Sequence, residues 1–217
     1  MTRGRAAAAA RLAWPTVTID QADLTATIEE MEAAQNAKLL PILAGPSSGR
    51  GEAMLDLAAH EPLVSGKVYV LLAFTGPTPH GTIGMHWLTN HLYEELGEPP
   101  FADLLQLAGA NLAEDLRIDG YETDDGVILA MKREGWLAGS AVALPGFHER
   151  LSSILGAERL IVGIPCPDDL LVAGADRGCA DEVRAMTLGT EYDQGFLGPT
   201  VLLVESSGIS LLADRQI

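Results

Sequence analysis

The stretch Leu160-Ile-Val-Gly-Ile-Pro-Cys-Pro-Asp-Asp-Leu-Leu-Val-Ala173 decides the fold class. Leu160–Ile164 and Leu170–Ala173 are β-rich runs, and Pro165–Asp169 between them is made of turn formers. A parallel pair needs a crossover of a dozen residues or more, so two strands this close pair antiparallel. The chain closes on the same pattern. Thr200–Val204 and Ile209–Leu212 flank Glu205-Ser-Ser-Gly208, which reads as a hairpin with a glycine in its turn. Such neighbouring pairs replace the strict βαβ alternation of a doubly wound sheet. The expected class is α+β, a mixed or mainly antiparallel sheet with helices packed on it.

Upstream of that stretch, Asp20 and Asp23 stand at N-cap and N3 of a helix, with Ile19 and Leu24 placed as a hydrophobic staple. Leu24, Ile28, Met31 and Gln35 follow at helical spacing. Lys38–Ala44 (KLLPILA) reads as a strand, and Pro41 within it points to a sheet edge. A Gly/Pro/Ser loop, Gly45–Gly51, leads into a helix around Glu52–Ala59. Lys67–Phe74 (KVYVLLAF) is apolar on both faces, the pattern of a covered strand. Gly84–Leu96 reads as a helix ended by Gly97. After Pro99-Pro100, the residues Phe101, Leu104, Leu105, Ala108, Leu112 and Leu116 form a core-facing helical stripe. An acidic turn at Asp119–Gly126 precedes a strand at Val127–Met131. Leu137–Leu144 and Phe147–Leu155 read as helical pieces, and a further helix spans Cys179–Met186.

The chain has 217 residues, enough for one domain with its own core. Residues 1–15, which hold Arg3, Arg5 and Arg11 and no acid, read as a flexible tail. Residues 16–217 read as a single domain, with 97–100 as the place where two subdomains would meet. The formal charge is −16, from 14 Lys+Arg and 30 Asp+Glu. This argues against nucleic-acid and anionic-membrane partners, since both need clustered cations. No window reaches the ~18 uncharged apolar residues of a membrane span. Two cysteines, Cys166 and Cys179, are too few for a secreted disulfide framework and suit a reducing cytoplasm.

Chemistry-bearing patterns are sparse. Gly45-Pro-Ser-Ser-Gly49 matches the G-x-S-x-G nucleophile elbow and falls between a strand and a helix. It makes Ser47 a candidate nucleophile, with His148 a candidate base. Against it, Pro46 fixes the backbone beside the serine, and only one clear strand precedes the motif. His80, His86 and His91 are candidate metal ligands. On a helix, however, His86 and His91 lie about 140° apart, too far round for one ion. The acids Glu114, Asp115, Asp119, Glu122, Asp124 and Asp125 miss the calcium-loop register. Asn111, with poor helix propensity, points to a specific hydrogen bond, and Asp168 to an Asx turn.

Four segments together resemble the YtpQ-like family of bacterial proteins of unknown function. They are Lys38-Leu-Leu-Pro-Ile-Leu, Gly109-Ala-Asn-Leu-Ala-Glu-Asp-Leu116, Gly163-Ile-Pro-Cys-Pro-Asp-Asp-Leu-Leu-Val-Ala173 and the closing strand pair at Thr200–Leu212. The order is the family's, over about residues 36–212. The resemblance implies an architecture and no reaction, and it makes Asn111, Pro165 and Asp168 the matching polar or turn positions. The His80–His91 segment departs from the family pattern. The expectation is a non-catalytic acidic module with no cofactor or metal, binding a protein or small-molecule partner through residues such as Asn111 and Asp168. The alternatives are a small hydrolase using Ser47 or the three histidines, and an assembly protein forming a homodimer through the Pro41 edge.

Overall fold

The computed structural model describes residues 6–10, 22–78, 80, 82–133, 137–192 and 194–215. The alternating and covered apolar runs resolve into two antiparallel sheets. Strands β1 (Ala6–Ala10), β6 (Leu116–Thr123), β7 (Gly126–Arg133), β8 (Leu160–Cys166), β9 (Asp169–Gly174), β10 (Thr200–Glu205) and β11 (Gly208–Asp214) build one. Its strand order is β1-β6-β7-β9-β8-β10-β11. The other consists of β2 (Lys38–Ala44), β3 (His60–Val64), β4 (Val68–Pro77) and β5 (Ile83–Trp87). Its long central β4 pairs with β2 along one side, and with β3 and then β5 end to end along the other. The class is α+β, as the neighbouring strand pairs of the second half imply.

Among the described residues six α-helices dress these sheets: α1 (Ala22–Gln35), α2 (Gly49–Leu57), α3 (Asn90–Glu95), α4 (Phe101–Glu114), α5 (Phe147–Leu155) and α6 (Cys179–Leu188). A 3-10 segment spans Ala138–Ala143 where a helical piece is expected. The α4 stripe buries Phe101, Leu104, Ala108 and Leu112 against β2, as its spacing demands. One core runs through both sheets. Leu40, Ile42, Leu72 and Phe74 from the four-stranded sheet share it with Leu129, Met131, Val162 and Val172 from the seven-stranded one. On the far face of the larger sheet, α6 lays Cys179 and Val183 on Ile128, Ile161, Ala173 and Val201. Gly163 lets it approach, because a Cβ there would collide with Thr187 Oγ1.

Several elements differ from the sequence reading. Gly84–Leu96 is not one helix. Ile83–Trp87 is β5, paired with β4, and only Asn90–Glu95 is helical, started by Thr89, whose side chain accepts from the Leu92 N–H at 3.2 Å. The 140° separation argued for His86 and His91 therefore does not apply. The acidic turn is narrower than expected, because Leu116–Thr123 is a full strand and Asp124-Asp125 alone make the bend into β7. Pro165 lies inside β8, not in the turn. The register shifts between Gly163 and Cys166, so its missing N–H falls in a bulge, and Pro167-Asp168 form the two-residue loop. Of the tail expected over 1–15, Ala6–Ala10 instead pair with β6, occupying an edge that would otherwise be open. Its remaining residues, and the Ile19 and Asp20 ends of the staple and cap, lie outside the described residues.

Strand β2 shows how its edge is closed. Leu39 donates its N–H to Glu32 Oε1 at 2.9 Å, and its carbonyl accepts from Asn111 Nδ2 at 3.1 Å. Backbone groups alternate sides along a strand, so Pro41 also faces the open side and its lost donor breaks no ladder bond. Every residue from Leu39 to Ala44 is buried.

Candidate functional site

The G-x-S-x-G segment is a clasp. Ser48 caps α2: its Oγ accepts from the Gly51 N–H at 3.3 Å and donates to the Gly195 carbonyl at 2.6 Å. Arg50 Nη1 donates to the Gln194 carbonyl at 2.9 Å, and the Gly45 N–H to the Phe196 carbonyl at 3.0 Å. Three consecutive carbonyls of the loop before β10 are thus held from one short segment. Glycine is required at Gly51, where a Cβ would run into the Phe196 carbonyl. Ser47, 7% exposed, has a buried hydroxyl without a hydrogen-bond partner among the described residues, and no imidazole reaches it.

That clasp roofs a cleft of about 490 Å³ between the two sheets. Ile42, Ile83 and Met85 line it from the smaller sheet, and Ile164, Pro167 and Asp168 from the β8–β9 hairpin. Leu137, Gly139 and Ser140 at the 3-10 segment, Leu43, Arg50, and Tyr192 with Gln194 to Leu197 of the clasped loop complete the described lining. Phe196 is fixed edge-on against Trp87, with ring centroids 4.8 Å apart. Asp168 Oδ1 accepts from the Leu137 N–H at 3.3 Å, a residue with φ of 69°, so the carboxylate supports a left-handed start to the 3-10 segment. This is a long-range contact in place of the Asx turn expected from sequence. Arg50 and Asp168 share the cleft without forming an ion pair.

Asn111 does not lie in the cleft. Its Nδ2 donates to Glu32 Oε1 at 2.7 Å and to the Leu39 carbonyl, tying α4 to α1 and β2. Lys38 Nζ completes the group, 3.3 Å from Glu32 Oε2.

The histidines are dispersed. His60 in β3 sits 2.9 Å from the Ala58 carbonyl and edge-on to Tyr69. His80 and His86 are exposed, in a turn and on β5, and His91 on α3 lies 3.4 Å from the Glu95 carboxylate. His148 Nε2 is 2.8 Å from the Glu158 carbonyl, which can only accept, so the ring proton lies on Nε2. Its buried Nδ1 has no partner among the described residues. His80, His86 and His91 do not converge, and no group of three or more His, Cys, Asp or Glu among the described residues is placed to hold a metal ion. Burial pushes the Cys166 thiol up, reinforced by the Asp169 and Asp168 charges and opposed by a bond from the Asp168 backbone. The Cys179 thiol is raised chiefly by burial as well.

No helix among the described residues is long and apolar enough to cross a membrane. Comparison of the chain with family models, curated proteins and solved structures finds no match. Sequence reasoning missed Arg50, Tyr192 and residues 194–197 as cleft residues. An arginine in the first turn of a helix, where the dipole disfavours a cation, was the available signal.

Proposed function

We propose that this chain is a non-catalytic binding module whose ligand is a small, mainly apolar molecule with an anionic end. The observation that carries the reading is the cleft. Its volume of about 490 Å³ lies in the range of small-ligand sites, and aliphatic side chains surround a few polar groups. Arg50 uses one N–H on the Gln194 carbonyl and retains other donors for a carboxylate. Asp168 Oδ2 remains available to a hydrogen-bond donor. Membership of the YtpQ-like family belongs to the same proposal. It is supported by the Pro41 strand, the Asn111 helix, the hairpin turning at Pro167-Asp168 and the terminal hairpin, in that order along the chain.

The test is a methyl-NMR titration with octanoate, octylammonium and octan-1-ol. Octanoate is expected to shift the Ile42, Ile83 and Met85 methyl signals. Arg50→Gln should weaken octanoate about tenfold and leave octan-1-ol unchanged. Methyl signals that stay still with all three probes at millimolar concentration defeat the proposal.

A further inference from the structure

Among the described residues, one helix packs on the outer face of the seven-stranded sheet. α6 lies over β8, β9 and β10 and touches β7, and no described helix packs on β6 to a comparable extent. Between α6 and the β6–β7 hairpin runs a groove of about 870 Å³. Its floor is Ile128, Ala130 and Leu171, the alternate residues that face the α6 side. Its walls are Tyr121, 40% exposed, and Met186, 49% exposed, residue types that anchor protein interfaces. Around this apolar strip stand Glu122, Asp124, Asp125, Asp169 and Glu182, with Lys132 the one cation among the described lining residues. None of the five carboxylates forms an ion pair with a described residue.

We propose that this groove docks a basic amphipathic helix of a partner protein. The occupant follows from the geometry. β6 is already paired with β1 and β7, so a strand cannot be added there. What the face offers is a groove beside α6, apolar at the bottom and anionic along its rims. An incoming helix presents apolar side chains at i, i+3 and i+4 to Tyr121 and Met186 above the largely buried Ile128, Ala130 and Leu171, and Lys or Arg on its flanks meets the carboxylates. The inference is independent of the inter-sheet cleft.

The probe is a fluorescein-labelled Leu/Lys 14-residue amphipathic peptide, with a Leu/Glu peptide of the same pattern as control. Anisotropy is expected to show binding of the basic peptide only, weakening about tenfold or more between roughly 50 and 500 mM salt. Amide shifts should concentrate in 121–132 and 182–190. Glu122→Lys with Glu182→Lys should weaken binding about tenfold, and Met186→Ser about threefold. Glu29→Lys with Glu30→Lys, the same charge change on exposed α1 positions, should leave the affinity unaltered. Equal effects of the two charge swaps would reduce the binding to net charge and overturn the proposal, as would equal binding of the Leu/Glu peptide. A dimer in sedimentation equilibrium that Met186→Ser dissociates would assign the groove to a second copy of this chain instead. Peptide binding that emerges only after removal of residues 1–5 would assign it to the chain's own Arg3 and Arg5, with the same consequence.

Discussion

Replacing Asn111 by alanine tests how the β2 edge is sealed. Its amide donates to a carboxylate at 2.7 Å and to a backbone carbonyl at 3.1 Å. Losing a bond to a charged group costs about 1.5–3 kcal/mol, and losing a neutral one about 0.5–1.5 kcal/mol. Alanine recovers about 0.6 kcal/mol through its better helix propensity. The net expectation is a loss of ~2–3 kcal/mol, or roughly 5–10 °C in Tm for a domain of this size. Glu32→Ala removes the shared acceptor, 8% exposed, strands the Leu39 N–H and leaves the Asn111 amide only its bond to the Leu39 carbonyl, so it should cost at least as much. Since the two side chains act through one oxygen, the double variant should cost about 1–2 kcal/mol less than the sum. Urea unfolding followed by circular dichroism measures all three. Single variants within ~0.5 kcal/mol of the parent, or strict additivity, would refute the argument.

Three more expectations concern packing, capping and pH. Gly163→Ala forces α6 off the sheet against Thr187 and Val183, so urea unfolding should show a loss of about 1–3 kcal/mol, with near-UV change, while Gly49→Ala, which meets nothing nearby, stays within ~0.5 kcal/mol. Ser48→Ala loses the α2 cap and the Gly195 bond, so thermal unfolding should register a deficit of ~2 kcal/mol. The Cys166 and Cys179 thiols and the Tyr93 hydroxyl are all raised in the fold, each chiefly by burial. The native state therefore keeps protons that the unfolded chain releases, and stability should fall as pH climbs from about 8 to about 10.5. A urea midpoint that rises over that range contradicts the assignment.

What was legible in the sequence followed periodicity. The stripe from Phe101 to Leu112 and the paired runs at Leu160–Ala173 and Thr200–Leu212 carry their partners close by in the chain, so local pattern sufficed. β5 was misread because Gly84, Met85 and His86 carry no β-branched signal. The period-two series Ile83, Met85, Trp87 was present but short. β6 was hidden by its charges: Asp119 and Glu122 disguise the alternation of Leu116 and Ile118, and Leu116 also fits the end of the α4 stripe. Asn111 was legible as a residue needing a specific partner, but its partner, Glu32, lies 79 residues away. The inter-sheet cleft was not legible at all. The groups that position Arg50, Ser48 and Gly45 are the carbonyls of 194–196, and a carbonyl leaves no trace in residue identity.

The three-carbonyl clasp also sets a kinetic expectation. The loop it grips belongs by chain connectivity to the larger sheet, while the donors belong to the smaller one. Prising the two apart at this end means severing the Gly45, Ser48 and Arg50 bonds. The Gly45 amide then reports on it: under conditions where every opening leads to exchange, its hydrogen-exchange rate gives the rate at which this bond opens.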